Sequence, residues 1–411
     1  MAITMQEGRN TVLALQYALI NKRTLLKIIE KKKITNEYIL LKTKLKQNKY
    51  SQWVDINNPL LPTIKQAKSI AACIHVPFAG LYMEPNLVPY KSIPSIKNKR
   101  TLFGTQAMDE SAVNIAIMDL LQELDYLLAL SDELEETIPQ YNMSAPASDN
   151  SKEWANYIRD ALSLDLQEQF RCTSTRKLYH LLRTRIEAQG IFVQCFRDVP
   201  VEVLRGIAIC DEKIPIIGLN EGDRPPAKSF SMIHELVHIL KRESSMCNDM
   251  YGSSAFQEEV FCNAVAAEVL VPEDSLRLLL SDKYGSQRPL SKDDIKQIAD
   301  KFSVSRDVIA RRLYDLKIIT TTAYKTYLEL FRLEIEHDKE EQRIARKEGR
   351  APSIPRDISR ETVDRTSPLI SNCLLNGYAN DFLSKQEISR HLGIDQKHID
   401  RYLWEVSTWN K

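Results

Sequence analysis

His234-Glu235-Leu236-Val237-His238 places two imidazoles four residues apart with a carboxylate beside the first of them. On a helix, residues four apart sit one turn above each other, so both rings can reach one ion. Glu235 then stands where it can take a proton from an attacking water and pass it to a leaving amine. The flanking residues Met232, Ile233, Leu236, Val237, Ile239 and Leu240 are apolar. They predict a buried helix and a low-dielectric site in which a carboxylate's pKa moves toward neutrality. The competing reading is a pair of buried histidines satisfied by backbone carbonyls. Two polar rings on one apolar helix are costly to bury without a partner, and an ion supplies one. We therefore expect Zn2+ on His234 and His238, with Glu235 as the general base.

A catalytic zinc ion needs a third protein ligand and an open position. The remaining histidines, His75, His180, His337, His391 and His398, lie far off in sequence, so a carboxylate is the better expectation. Glu258 and Glu259 open a helix expected over 258–271, whose small residues Cys262, Ala264, Ala266 and Ala267 allow close packing against the metal helix. Helical phase does not choose between the two glutamates.

These residues need a scaffold. A helix around Lys177 to Ala188 stops at Gly190, where glycine can take a left-handed conformation. Apolar and β-branched runs at Ile191 to Phe196, Val203 to Cys210 and Ile214 to Leu219 predict three strands, read as antiparallel hairpins. The metal helix is expected from near Ser229. The fold class expected is α+β, a zincin-like peptidase domain with a small antiparallel sheet and the HExxH helix, flanked by helical, helix-turn-helix-like domains. Domain boundaries are expected at 1–105 (a small N-terminal helical domain), 106–170 (a helical connector carrying an acidic amphipathic helix from about 111 to 142), 171–290 (the peptidase domain), 291–336 (a helix-turn-helix-like unit), 337–367 (a charged linker) and 368–411 (a C-terminal helical unit with Gly393 near a turn).

The bulk properties fit a globular enzyme. The chain has 411 residues, 43% hydrophobic and 27% charged, with a formal net charge of +1. That near-neutral sum hides a block from Lys22 to Lys49 with ten basic and two acidic residues. Such a block serves either as a solvated surface or as a nucleic-acid contact. No run reaches the roughly 18 to 20 apolar residues of a membrane span, and the patch Val12 to Ile20 lacks a cleavage site, so no membrane contact and a cytoplasmic address are expected. Seven cysteines without a CxxC pair are expected to be buried thiols.

With these residues in place, the stretch His234 to His238 followed by Glu259-Val-Phe-Cys-Asn263 and the small-residue run through Ala266 and Ala267 to Pro272 resembles the ImmA/IrrE family of zinc metallopeptidases. The pattern Arg205 to Asn220, leading through Phe230 into the metal helix, is similar to the family's strand pair. The resemblance implies that Glu259, four residues before Asn263, is the third ligand and that Glu258 is not, which gives a gluzincin-like endopeptidase. Trp53, Pro62 to Gln66, Ile70-Ala71, Val76 to Phe78, Ile93-Pro94 and Arg100 to Leu102 are similar to the closing half of the XRE-type module that precedes the peptidase in long members. The opening half departs, with the lysine-rich Lys31 to Lys49 in place of an alternation of alanine and glycine. The resemblance also implies an XRE-type repressor as substrate or partner, its cleavage derepressing genes of a mobile element or stress response. The alternative is a regulator or antitoxin that binds DNA or a repressor without proteolysis. Substrate-contacting residues are unknown from sequence.

Overall fold

The computed structural model describes residues 17–87, 107–210, 213–247, 257–284, 289–348 and 356–409. The chain divides into two units, 1–93 with 104–119, and 94–103 with 120–411.

The smaller unit holds four short helices, α1 (Lys22–Lys31), α2 (Asn36–Thr43), α3 (Gln47–Val54) and α4 (Ile64–Cys73). The starts of α1, α2 and α4 follow from side chains that accept the otherwise unpaired first N–H groups: Asn21, Thr35 and Thr63, the last in a reciprocal capping box with Gln66. Leu25, Ile28, Ile39, Trp53 and Ile70 fill the core of this unit. Two members of the basic block are internal. Lys22 Nζ donates to the carbonyls of Gln52, Asp55 and Asn58. Lys32 is buried and donates to those of Ile74 and His75, burial lowering its pKa to about 8.

A long helix, α5 (Ala107–Glu133), covers the acidic stretch and stops nine residues short of the expected end. Glu135 takes a left-handed conformation soon after, with Pro139 four residues on. In the larger unit come α6 (Ser151–Ala161), α7 (Leu166–Arg171) and α8 (Thr175–Glu187), and then the strands β1 (Phe192–Phe196), β2 (Gly206–Ile209) and β3 (Ile216–Asn220). The metal helix is α9 (Pro225–Leu240), followed by β4 (Ser245–Cys247), α10 (Gln257–Leu270), α11 (Glu273–Tyr284), α12 (Lys292–Phe302), α13 (Arg306–Asp315), α14 (Thr321–Lys347), α15 (Ile358–Arg365), α16 (Pro368–Ala379), α17 (Lys385–Leu392) and α18 (Ile399–Trp409).

The sheet corrects the expected antiparallel arrangement. Its order is β1-β3-β2-β4; β3 pairs parallel with β1 and antiparallel with β2, and β2 pairs antiparallel with β4. The cause lies in the connections. Residues 197–205 are long enough to carry the chain past a strand position, and the short return from β2 brings β3 back into the gap. β3 is apolar on both faces and wholly buried, as a central strand should be. One core joins this sheet to α6, α8, α9, α10, α12 and α13 through Trp154, Leu182, Ile217, Leu236, Val265, Ile298 and Ile309.

The charged stretch expected as a linker over 337–367 is helical where it is described. α14 continues to Lys347, and α15 occupies Ile358–Arg365. The first half of α14 packs on the core through Phe331, and ion pairs one turn apart, Arg332 with Glu336 and Arg343 with Glu340, line its exposed side. Near the end of the chain, Gly393 takes a left-handed φ of +65° between α17 and α18, as the sequence pattern expected. Among the described residues no helix is long and apolar enough to cross a membrane.

Candidate metal centre

Pro225 and Pro226 occupy the first two positions of α9, where a missing N–H is harmless and a fixed φ favours the helix. This start lies four residues before the expected one. Every residue from Lys228 to Leu240 is buried, so α9 is enclosed on all sides, as its apolar composition requires.

α10 packs along α9 and brings Glu259 to the two histidines. His234 Nε2 lies 3.2 Å from His238 Nε2 and 3.2 Å from Glu259 Oε2, and His238 Nε2 is 3.6 Å from Glu259 Oε1. All three residues are buried, and their ligand-type atoms lie within 4.8 Å of one another. Glu258, one residue earlier, points outward and is exposed. The donors fit a metal ion: two imidazoles and one carboxylate converge on a single space inside an apolar core. Burial opposes the charge on Glu259, but hydrogen bonds from His234 and His238 win and hold its carboxyl well below the usual range.

Glu235 is fully buried beside this cluster, and burial pushes its pKa up against the pull of His234 and His238. Ser245 on β4 donates its hydroxyl to Glu235 Oε2 at 3.0 Å. The other oxygen, Oε1, is buried with no hydrogen-bond partner among the described residues. Gly206 lets the carboxylate come this close. A Cβ added there would stand 2.5 Å from Glu235 Oε1. On the far side of the cluster, Glu243 Oε2 lies 3.7 Å from His238 Nδ1, and its carboxyl is held below the ordinary value chiefly by that imidazole. At that distance the carboxylate attracts the imidazole electrostatically without a hydrogen bond to it.

The structure thus brings together His234, His238, Glu259 and Glu235. Sequence reasoning missed Ser245, Gly206 and Glu243. A glycine opening an apolar strand is a sign of close approach and could have exposed Gly206. The serine and Glu243 carry no spacing signal, because the first depends on an edge strand that was not foreseen and the second on a chain reversal just after α9. That reversal uses a left-handed Arg242 and a bond from Glu243 N–H to the His238 carbonyl.

The end of α10 is fixed from three directions. The carbonyls of Val269, Leu270 and Val271, which have no partner further along the helix, accept from Arg159 on α6, Gln169 on α7 and Arg312 on α13. Arg312 also pairs with the buried Glu268. The neighbouring helices therefore set the position of the helix that carries Glu259.

Comparison with known proteins gives one match. Residues 186–314 match the family model Peptidase_M78, the IrrE N-terminal-like domain. No curated protein and no solved structure matches the chain. The matched segment runs from the end of α8 to α13 and contains the sheet, the metal helix and Glu259. Residues 186–314 are therefore similar to the IrrE N-terminal-like domain of the Peptidase_M78 family, a family of metallopeptidases.

Proposed function

We propose that the chain is a zinc-dependent endopeptidase that cleaves a helix-turn-helix transcriptional repressor of XRE type, lifting repression of mobile-element or stress genes. The observation that carries the catalytic part is the buried convergence of His234, His238 and Glu259 with Glu235 at its side. Two histidines and one glutamate leave a position open for substrate, whereas a structural zinc site closes with four protein ligands. When bound, the ion supplies the Lewis-acid charge that polarises the scissile carbonyl and eases proton loss from the attacking water.

The chain's own residues do the rest. Ser245 holds one oxygen of Glu235, leaving Oε1 free to accept the water's proton and deliver it to the leaving amine. Burial raises the Glu235 pKa, which makes its carboxylate a stronger base and its acid form easier to keep until the amine departs. β4 is the outer strand on this side of the sheet, so an extended substrate segment can add to it through main-chain hydrogen bonds. A repressor as substrate is supported by the family resemblance. The helical segments outside residues 186–314 offer surface for recognising a folded target.

The test pairs the parent with Glu235→Gln, incubated with the repressor encoded nearest the gene. The variant keeps the shape of the side chain and should keep its metal, while cleavage falls by about 10² to 10⁴. Derepression of a reporter by the variant with the repressor uncut would show a protein that acts by binding.

A further inference from the structure

A cavity of about 700 Å³ opens at the start of α9, between the ends of β1 and β3 and the helix α15. None of His234, Glu235, His238 or Glu259 lines it. Its volume falls within the range of small-molecule sites, roughly 300 to 1,000 Å³. Tyr179, Val199, Pro200, Val201 and Pro225 give it apolar walls.

Its charges are unevenly used. Asp223 is held by Arg205 at 2.7 Å, and Asp364 by Arg176 and His180 at 2.7 and 2.6 Å. Arg356 pairs with Glu361. Lys228 is different. The residue is only 6% exposed, its ammonium has no hydrogen bond or ion pair among the described residues, and it lies 5.8 Å from the Tyr179 ring. Glu221 lies 3.8 Å from Arg197 Nε and 4.0 Å from Arg365 Nη1, within Coulombic reach but beyond hydrogen bonding. Its Oε2 is buried without a hydrogen-bond partner.

Three cations, Lys228, Arg197 and Arg365, therefore share a half-closed, partly apolar space with two carboxylates, Glu221 and Asp198. An ammonium and two guanidinium groups beside one half-closed space offer an anionic ligand charge-assisted hydrogen bonds. Arginine and lysine together suit phosphate, the first through its planar fork and the second as a point charge. The free Glu221 oxygen asks for a hydroxyl donor on the same molecule.

We propose that this cavity binds a small phosphorylated polyol, a sugar phosphate or a mononucleotide, with its phosphate on Lys228, Arg197 and Arg365 and a hydroxyl on Glu221. Both sources present the same chemistry, and only the mononucleotide adds a flat base for the apolar walls.

The experiment is calorimetric titration of the full chain with ribose 5-phosphate and with adenosine 5′-monophosphate, using ribose and inorganic phosphate as controls. At least one of the two organic phosphates should bind, and tighter binding of the monophosphate would assign the base to the apolar walls. Lys228→Met should weaken it by about tenfold or more, the scale of one charge-assisted hydrogen bond. Val201→Phe, which fills the cavity and leaves its charges alone, should block it even if Lys228→Met folds poorly. His234→Ala should bind as the parent does, because the site is separate from the metal centre. The proposal is overturned if neither organic phosphate binds, if inorganic phosphate binds as tightly as they do, if Lys228→Met and Val201→Phe bind normally, or if His234→Ala abolishes binding.

Discussion

Glu235 shows how tightly the chemistry is bound to its neighbours. Its two oxygens have different surroundings: Oε2 accepts from Ser245, and Oε1 faces Gly206. The motif His234-Glu235-x-x-His238 singled out the proposed base and two proposed ligands, because a helix fixes the spacing of its own residues. Helical phase left the choice between Glu258 and Glu259 open, since packing between two helices depends on where each sits. The family resemblance made that choice, and the structure places Glu259 at the histidines and Glu258 in solvent. Gly206→Ala should act on the base alone. Its methyl would lie 2.5 Å from Glu235 Oε1, so the carboxylate must turn away from its working position. Metal content by mass spectrometry should stay near one ion per chain while kcat falls by about tenfold or more, the scale on which misplaced catalytic groups lose rate. An unchanged kcat would mean that the orientation of Glu235 does not limit the reaction.

At the scale of elements, helix periodicity read well and strand pairing read poorly. α8, α9 and α10 were expected within a few residues of where they lie, since each carries its own periodic pattern and end signals. The order β1-β3-β2-β4 depends on which strand returns to fill the centre, and no local pattern encodes that. In the region 337–367, expected as a charged linker, the described residues include the end of α14 and all of α15, and charge alone does not tell a solvated helix from an irregular segment. A testable joint between elements lies where α8 meets α15. His180 Nε2 is 2.6 Å from Asp364 Oδ1, and burial lowers the imidazole's pKa to about 4 against the pull of that carboxylate. A neutral ring therefore donates to an ionised Asp364. The unfolded chain takes up this proton near pH 6.5 and the folded chain only near 4, so stability is full above 6.5 and declines as pH falls through that window. The loss amounts to at most about 3 kcal/mol. Urea melts of the parent should show this decline between pH 6.5 and 4, and His180→Gln, which keeps a donor but does not titrate, should flatten it. Equal slopes for both proteins would remove His180 from the acid response.

For the molecule as a whole, the sequence suggested several helical parts around one catalytic domain, and the basic block Lys22 to Lys49 was its sharpest unassigned feature. Charge counting overstated that block. Lys22 and Lys32 are turned inward onto backbone carbonyls, and such use cannot be seen without the fold. Lys44, Lys46 and Lys49 stay exposed. If this face meets phosphates, duplex DNA binding should weaken as salt rises, each contact adding about 0.9 to the slope of log affinity against log salt. Reversing all three lysines to glutamate should then lower both affinity and slope. Binding that ignores salt, or that survives the reversal, would leave the block as a solvated surface.

The central claim is that one zinc ion sits among His234, His238 and Glu259, and its metal content is the most direct test. The purified parent should hold about one zinc per chain under chelator competition. His234→Ala, His238→Ala and Glu259→Ala should each lose most of it, because two protein ligands seldom retain the ion, and Glu258→Ala should match the parent. Full zinc in the two histidine variants, or loss in Glu258→Ala with retention in Glu259→Ala, would contradict the account.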